Sequence, residues 1–350
     1  MTAGSENRPY PLRLPIPGSG LPSLIYDRGM QTRRFGRLGW QVSEVGYGMW
    51  GMGGWSGSDD AQSLASLDQS VAAGVNFYDT AYAYGDGHSE QLLAQTLRAH
   101  AGRKLYVATK VPPKNRQWPG TAATPVSEVF PYEYIVEMTE KSLRNLGVER
   151  LDLQQLHVWD DAWTADEGWQ RAAEDLKQQG KIEGFGISVN RWQPANVLQA
   201  LETGKVDAVQ VVYNVFDQNP EDELFPAARR LDVAIIARVP FDEGSLTGKL
   251  TRDMTFPKND WRSLYFTPEN LEETLDRVDL LQQDVPAGMS LAELALRFIL
   301  EHPVVATTIP GMRKASHVEE NTAVSDGRRI GEGLMANLRK HRWDRTHVIP

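Results

Sequence analysis

Eight short apolar runs, each followed by a longer segment, constrain what this chain can fold into more than any other feature. The runs lack regular polar alternation, which predicts strands covered on both faces. The segments between them have helical periodicity, and the last has apolar residues at i, i+3, i+4 and i+7, namely Leu291, Leu294, Ala295 and Phe298. Strands that alternate with helices form parallel sheets. The predicted strands are 44–48, 75–79, 105–110, 151–156, 182–187, 208–212, 233–237 and 304–309.

Two architectures satisfy this pattern, a doubly wound sheet and a closed barrel. The count of strands and the length of 350 residues favour an α/β fold of the (β/α)₈ TIM-barrel type. A short hairpin that turns at residues 36–39 is predicted to precede the barrel. The connections 112–130 and 240–267 are longer than a barrel needs. Because both follow strands, we expect them at the C-terminal face, where the active sites of such barrels lie.

Composition divides the chain at about residue 30. Residues 1–30 are rich in proline, glycine and serine, which predicts a flexible N-terminal tail, and residues 31–350 are predicted to form a single domain. The first residues lack the apolar core of a signal peptide, and no apolar run approaches the roughly 18 residues of a membrane span. The sequence contains no cysteine. We therefore expect a soluble cytoplasmic protein without disulfides.

The charge balance argues against several kinds of partner. The formal net charge is −9 at pH 7, so nucleic acid and anionic membrane surfaces would be repelled. A local basic pocket for a phosphorylated small molecule is compatible with this balance. No cluster of histidine and acidic residues resembles a metal site, so we expect no metal.

Polar residues stand at or just after the ends of three consecutive predicted strands. Asp79 ends the second strand, and Tyr84 comes five residues later. Lys110 ends the third strand, and His157 follows the fourth. Because neighbouring strands of a barrel end at one mouth, we expect these four side chains to converge there.

The order and spacing of these residues resemble the signature of the aldo-keto reductases, with Thr80 and Ala81 after Asp79, Gly85 after Tyr84, and Glu90 opening a helix. Further markers of that family follow in order at strand ends. They are Lys110, His157, Ser188, Gln210, the segment 244–249 and the segment 309–311. The resemblance covers residues 32–325 and implies transfer of hydride between NAD(P)H and the carbonyl of a small molecule. The alternative within the family is a cofactor-binding regulatory subunit without turnover.

The resemblance also implies the catalytic roles. Tyr84 would be the general acid, Lys110 would stabilise its phenolate, Asp79 would keep Lys110 charged, and His157 would hydrogen-bond the carbonyl oxygen. General chemistry agrees, since charge develops on that oxygen during reduction. A tyrosine with an ordinary pKa of about 10 is a poor acid unless a neighbouring cation stabilises its phenolate.

Hydride must come from a diffusible cofactor, because no side chain supplies it. Gly46, Gly48 and Gly51 have the Gly-x-Gly-x-x-Gly spacing, but no predicted helix opens at this run, so it does not match the fingerprint of a doubly wound dinucleotide domain. The resemblance implies instead that the nicotinamide lies across the barrel mouth, with Tyr213 stacked on its ring. The carboxamide would be held by Ser188, Asn190 and Gln210. The pyrophosphate would be wrapped by Ser245, Leu246, Gly248 and Lys249.

The adenosine end is predicted to lie at the start of the last barrel helix. Arg313 and Lys314 place two cations at that helix N-terminus, which suits a 2′-phosphate. NADP(H) is therefore favoured over NAD(H), with NAD(H) left open. The residues implied to contact this end are Gly311, Arg313, His317, Glu320 and Asn321.

Aromatic residues in the loops predict a pocket for a small aldehyde, ketone or alcohol. Its predicted walls are Trp50, Trp55, Trp118 and Trp159. Arg238 ends the seventh predicted strand, where the family commonly has an aromatic residue. It is predicted either to bind a substrate carboxylate or to complete the phosphate site of the cofactor.

Overall fold

The computed structural model describes residues 29–54, 57–258 and 260–345. The predicted tail lies outside these ranges except for its last two residues. The predicted pocket residue Trp55 also lies outside the described residues. The domain boundary expected at residue 31 stays a prediction.

Two antiparallel strands, β1 (Thr32–Phe35) and β2 (Trp40–Ser43), form the predicted hairpin. The turn between them passes through Gly36 at a φ of 42°. A Cβ added there would lie 2.5 Å from the backbone nitrogen of Ala234. Only glycine combines this conformation with so close an approach.

The hairpin covers the N-terminal end of the barrel. The ring of Phe35 lies 5.1 Å from that of Trp40 and 5.4 Å from that of Phe77, measured between centroids. Phe77 begins a barrel strand, and these aromatic residues belong to one buried cluster. Apolar burial therefore closes one end of the barrel and leaves the opposite end for a site.

Eight parallel strands form one sheet in sequence order. The amide of Gly46 donates to the carbonyl of Thr308 at 2.8 Å and that of Gly48 to Pro310 at 3.0 Å, which joins the first strand to the last. The fold is thus the predicted (β/α)₈ barrel. The strands are β3 (Tyr47–Gly48), β4 (Phe77–Asp79), β5 (Tyr106–Val111), β6 (Leu151–Leu156), β7 (Ile182–Ser188), β8 (Ala208–Val212), β9 (Ala234–Arg238) and β10 (Val305–Thr308).

Helices surround the sheet and cover its outer face with apolar side chains. In the described part of the chain, no helix has the length and apolar character needed to cross a bilayer. The helices are α1 (Asp60–Ala72), α2 (His88–Ala99), α3 (Val126–Val129), α4 (Tyr132–Leu146), α5 (Glu167–Gln178), α6 (Leu198–Glu202), α7 (Leu224–Leu231), α8 (Arg262–Tyr265), α9 (Pro268–Gln282), α10 (Leu291–Glu301), α11 (Ala315–Thr322) and α12 (Glu332–Arg339).

One helix differs clearly from its sequence pattern. The periodicity predicts a helix over 194–201, whereas α6 begins at Leu198. The carboxylate of Asp161 accepts hydrogen bonds from the amides of Gln199 at 2.7 Å and Ala200 at 3.0 Å. A side chain distant in sequence therefore caps this helix and sets where it begins.

Candidate active site

Asp79, Lys110 and Tyr84 meet at the C-terminal mouth of the barrel. Asp79 is the last residue of β4, and Lys110 lies one residue before the end of β5. The Lys110 ammonium donates to Asp79 Oδ1 at 2.6 Å, to the Thr80 carbonyl at 2.8 Å and to the Tyr84 hydroxyl at 3.3 Å. Lys110 is fully buried. Three oxygen partners satisfy the three donors of its ammonium.

The second oxygen of Asp79 is bonded by two glutamine side chains. Gln210 on β8 donates to Asp79 Oδ2 at 2.7 Å, and Gln155 on β6 donates to it at 3.4 Å. Sequence reasoning missed Gln155. The available signal was its place in an apolar strand two residues before His157, because residues i and i+2 of a strand share a face.

Burial and charge pairing oppose each other at Lys110 and Tyr84. Burial lowers the pKa of Lys110, but the charges and hydrogen bonds of Asp79 and Tyr84 outweigh it, so this pKa lies above its ordinary value. Burial raises the pKa of Tyr84, and Lys110 only partly offsets that effect. The site thus holds a protonated phenol against a charged ammonium at neutral pH.

His157 lies beside Tyr84. Its ring centroid is 5.8 Å from that of Tyr84 and 4.6 Å from that of Trp118, with both pairs edge to face. Burial, with the charges of Lys110 and Arg238, holds the pKa of His157 well below its ordinary value. Its Nδ1 is buried and has no hydrogen-bond partner among the described residues. A neutral imidazole at this position can hydrogen-bond a carbonyl oxygen.

Three cations converge on His317 from two segments. Lys249 lies in the long connection after β9, and Arg313 and Lys314 directly precede α11. Burial and these three charges lower the pKa of His317, whereas Glu320 acts to raise it. Within the described ranges, none of the three cations forms an ion pair. This basic cluster beside the first turn of a helix is chemically suited to phosphate.

Two acids hold the start of the connection after β9. Asp242 is fully buried and accepts hydrogen bonds from the Tyr265 hydroxyl at 2.7 Å and from Arg345 at 2.8 Å. Glu243 forms an ion pair with Arg191. Both carboxylates are therefore paired with cations from other segments. These two ion pairs hold the start of the loop against the rest of the barrel.

A family model described as the aldo/keto reductase family matches residues 44–341 of this chain. The chain belongs to the aldo/keto reductase family.

Relatives in this family align over most of the chain. The "Uncharacterized oxidoreductase YqkF" of Bacillus subtilis is 28% identical, over 89% of this chain and 96% of its own length. The "NADH-specific methylglyoxal reductase" of Escherichia coli is 27% identical, over 81% of this chain and 89% of its own length. The solved structure of the aldo-keto reductase AKR11C1 from Bacillus halodurans in its holo form is 25% identical, has a TM-score of 0.73, and aligns over 91% of this chain and 98% of that one.

Tyr213 of this family member does not face the mouth. Its hydroxyl donates to Glu221 Oε1 at 2.6 Å, and its ring packs against Phe225 and Phe298. The side chain is fully buried on the helix-facing side of the sheet. The predicted stacking on a nicotinamide ring is therefore wrong. Gln210 points into the barrel, and a residue three positions further along an extended chain points to the opposite side.

Asn190 connects the loop after β7 to the loop after β5 through hydrogen bonds. Its Nδ2 donates to the Gly120 carbonyl at 2.9 Å, and its Oδ1 accepts from the Gly120 amide at 3.3 Å. Because both ends of the amide are engaged, this arrangement does not support its predicted contact with a carboxamide. Ser188 ends β7 and lies next to Gln210 in the sheet register, so these two remain together at the mouth.

The segment predicted to wrap a pyrophosphate is only partly exposed. Ser245 and Leu246 are fully buried, and the Ser245 hydroxyl donates to Asp242 at 2.7 Å. Gly248 and Lys249 are exposed. Of the four predicted residues, only Gly248 and Lys249 are therefore accessible to a phosphate in this structure.

The other residues predicted for the adenosine end lie on α11 and near the contact between the first and last strands of the barrel, β3 and β10. Gly311 forms a parallel bridge with Gly48 and is exposed. Asn321 is buried on α11, and Glu320 is exposed beside His317. The structure therefore brings this set close to the basic cluster around His317.

The predicted tryptophan wall is only partly assembled at the mouth. Trp50 follows β3 and is 42% exposed, and Trp118, which contacts His157, is 44% exposed. Trp159 is instead fully buried and packs edge to face on Trp163 and Trp169. Its predicted place in the pocket wall is wrong, because aromatic packing draws it into the core.

Proposed function

We propose that this chain is an NAD(P)H-dependent oxidoreductase that reduces the carbonyl of a small aldehyde or ketone to an alcohol, or catalyses the reverse reaction. One observation carries the proposal: the Lys110 ammonium lies 2.6 Å from Asp79 and 3.3 Å from the Tyr84 oxygen. A phenol held in this way can give its proton to a developing alkoxide, because the ammonium stabilises the phenolate left behind.

Each of the four residues has a separate task in this proposal. Tyr84 donates the proton to the carbonyl oxygen in reduction and takes it back in oxidation. Lys110 stabilises the phenolate, and Asp79 keeps Lys110 protonated and in place. His157 orients the carbonyl oxygen as a neutral imidazole. The bound nicotinamide supplies or accepts the hydride.

The residues present fit a phosphorylated dinucleotide. Lys249, Arg313 and Lys314 form no ion pairs within the part of the chain that the structure describes, and they gather beside the first turn of α11. They would hold the phosphates. Ser188 and Gln210 would hold the carboxamide, with Gln210 also keeping its bond to Asp79.

We infer a preference for NADP(H) from Arg313 and Lys314, although the E. coli relative is named as NADH-specific. In the double variant Arg313→Ala/Lys314→Ala, the ratio of NADPH to NADH affinity is expected to fall about 10- to 100-fold, because charge-assisted hydrogen bonds to the 2′-phosphate are lost. Fluorescence titration with each nucleotide measures this ratio. Lys141→Ala, which removes a partly exposed lysine of α4 that pairs with Glu137, is the control. An unchanged ratio in the double variant would place 2′-phosphate recognition elsewhere.

Purified protein and NADPH test the proposed function directly. We expect NADPH to be oxidised in the presence of at least part of a panel of small aldehydes and ketones. The same preparation is titrated with NADPH and NADH in parallel. Tight nucleotide binding without oxidation across the panel would contradict the reductase and favour the regulatory alternative. Failure to bind either nucleotide would contradict both.

A further inference from the structure

Gln155 is a buried amide at the barrel mouth to which the proposed reduction assigns no task. It is fully buried on β6, and in the sheet register it pairs with Lys110 on one side and with Gly186 on the other. A Cβ added at Gly186 would lie 3.1 Å from the Cγ of Gln155. The glycine on β7 therefore leaves the space inside the barrel that the Gln155 side chain occupies.

Only one end of the Gln155 amide is hydrogen-bonded. Its Nε2 donates to Asp79 Oδ2 at 3.4 Å, whereas its Oε1 is buried and has no hydrogen-bond partner among the described residues. A buried acceptor without a partner costs free energy that an apolar side chain at the same place would avoid. Packing alone therefore does not account for an amide at this position, whereas the contact with Asp79 does.

Asp79 is held by one cation and two neutral amides. Lys110 donates to its Oδ1 at 2.6 Å, and Gln210 joins Gln155 in donating to its Oδ2, at 2.7 Å. Gln210 is also proposed to hold the nicotinamide carboxamide, whereas Gln155 bonds only Asp79 within the described part of the chain. The charge of Asp79 already acts to raise the pKa of Tyr84. A second negative charge beside it would therefore make Tyr84 a weaker acid.

We propose that Gln155 is a positioning residue of the reduction, which holds Asp79 through a neutral amide and adds no charge beside Lys110. The inference rests on the proposed function and adds a residue to it. A neutral donor fixes the carboxylate without competing with it for the ammonium. An ionised carboxyl at position 155 would compete for that ammonium. Tyr84 therefore keeps the full effect of the cation that stabilises its phenolate only while residue 155 is uncharged.

Four further titratable groups surround Lys110 and Tyr84. They are Asp79, Glu90, His157 and Arg238. The pKa values of Lys110 and Tyr84 lie above their ordinary values, and that of Arg238, at the end of β9, is about 10. The pKa of His157 lies well below its ordinary value. Burial raises the pKa of Glu90, which lies on α2 and is common to all the variants below. We therefore expect kcat of wild type to change little between about pH 6 and pH 9.

The neighbouring glutamine supplies a matched test. Gln154 is equally buried on β6, but it bonds Thr139 on α4, on the opposite face of the strand. Gln155→Glu and Gln154→Glu therefore bury the same carboxyl at adjacent positions, one beside Asp79 and one facing α4. In Gln155→Glu, kcat for NADPH-dependent reduction is expected to fall about tenfold or more from pH 6 to pH 9, as the introduced carboxyl ionises. Gln154→Glu is expected to keep the pH profile of wild type.

An uncharged variant tests the hydrogen bond by itself. Gln155→Met, which has a similar length, is expected to lower kcat about 3- to 10-fold at every pH, because Asp79 loses one donor. Its affinity for NADPH is expected to stay within about threefold of wild type. Wild-type kcat in this variant would overturn the inference. So would one shared pH profile in Gln155→Glu and Gln154→Glu, because the carboxyl would then act through the fold rather than through Asp79.

Stability measurements separate this inference from the proposed function, because they need no turnover. The urea midpoint of Gln155→Glu is expected to fall as pH rises, since burial and the charge of Asp79 raise the pKa of the introduced carboxyl above its value in the unfolded chain. Adding Asp79→Asn is expected to remove most of that fall and to leave the pH dependence of Gln154→Glu unchanged. This dependence on Asp79 without reduction of any carbonyl would support the position of Gln155 and overturn the reductase. Its absence, with normal reduction by wild type, would overturn the inference alone.

Discussion

Tyr84→Phe is expected to lower kcat/KM for carbonyl reduction by about 10²- to 10⁴-fold, the usual contribution of a positioned general acid. The change removes only the hydroxyl that lies 3.3 Å from the Lys110 ammonium. Lys110 keeps its bonds to Asp79 and to the Thr80 carbonyl, so the charge at the centre of the site stays paired. Initial rates of NADPH oxidation measure the loss.

The loop itself supplies a matched control for this variant. Tyr82 lies two residues before Tyr84, is half-buried and packs against the apolar core. Tyr82→Phe is therefore expected to keep wild-type rates within about threefold, as expected for a change away from the reacting atoms. Nucleotide titration and thermal unfolding of both variants report whether binding and fold are intact. Near-wild-type rates in Tyr84→Phe would assign the proton to another donor.

Lys110→Met is expected to lower both activity and stability. Removing one partner of a buried ion pair leaves the other charge uncompensated, and we expect the free energy of unfolding to fall by about 3–5 kcal/mol. Asp79 is 2% exposed, so water does not replace the lost ammonium. Loss of the cation that stabilises the phenolate is expected to lower kcat/KM by about 10²- to 10³-fold. Urea denaturation and initial rates measure the two effects.

A double variant separates the two consequences. Asp79→Asn combined with Lys110→Met removes both charges, so most of the lost stability is expected to return while activity stays low. Arg230→Met is the comparison, since Arg230 pairs with Glu202 at the surface and such pairs contribute only about 0–1 kcal/mol. Recovery of activity in the double variant would contradict the role proposed for the ammonium.

The barrel could be predicted because its pattern repeats along the chain. The predicted strand 151–156 has the bounds of β6 (Leu151–Leu156). The first predicted strand, 44–48, is reduced to β3 (Tyr47–Gly48), since Val45 meets β10 only through an isolated bridge to Thr308. Strand bounds depend on the partner strand as well as on the residues themselves.

The core of the candidate site was predictable for a similar reason. Asp79, Lys110 and His157 stand at or next to the ends of adjacent strands, and barrel geometry brings such positions to one mouth. Gln155 was missed although it shares a strand face with His157. Its contact with Asp79 depends on how far a side chain reaches across the barrel interior, which spacing along the chain does not report.

By itself, the sequence determined the order of strands and helices and which polar residues stand at strand ends, because periodicity and residue chemistry are local properties. Only the tertiary structure decided that Tyr213 lies on the helix-facing side of the sheet and bonds to Glu221. It also decided that Asn190 hydrogen-bonds to Gly120 and that Asp242 pairs with Arg345. Each of these depends on contacts between segments far apart in sequence. Such contacts follow from how the elements dock and from the need to satisfy every buried polar group, which no local pattern encodes.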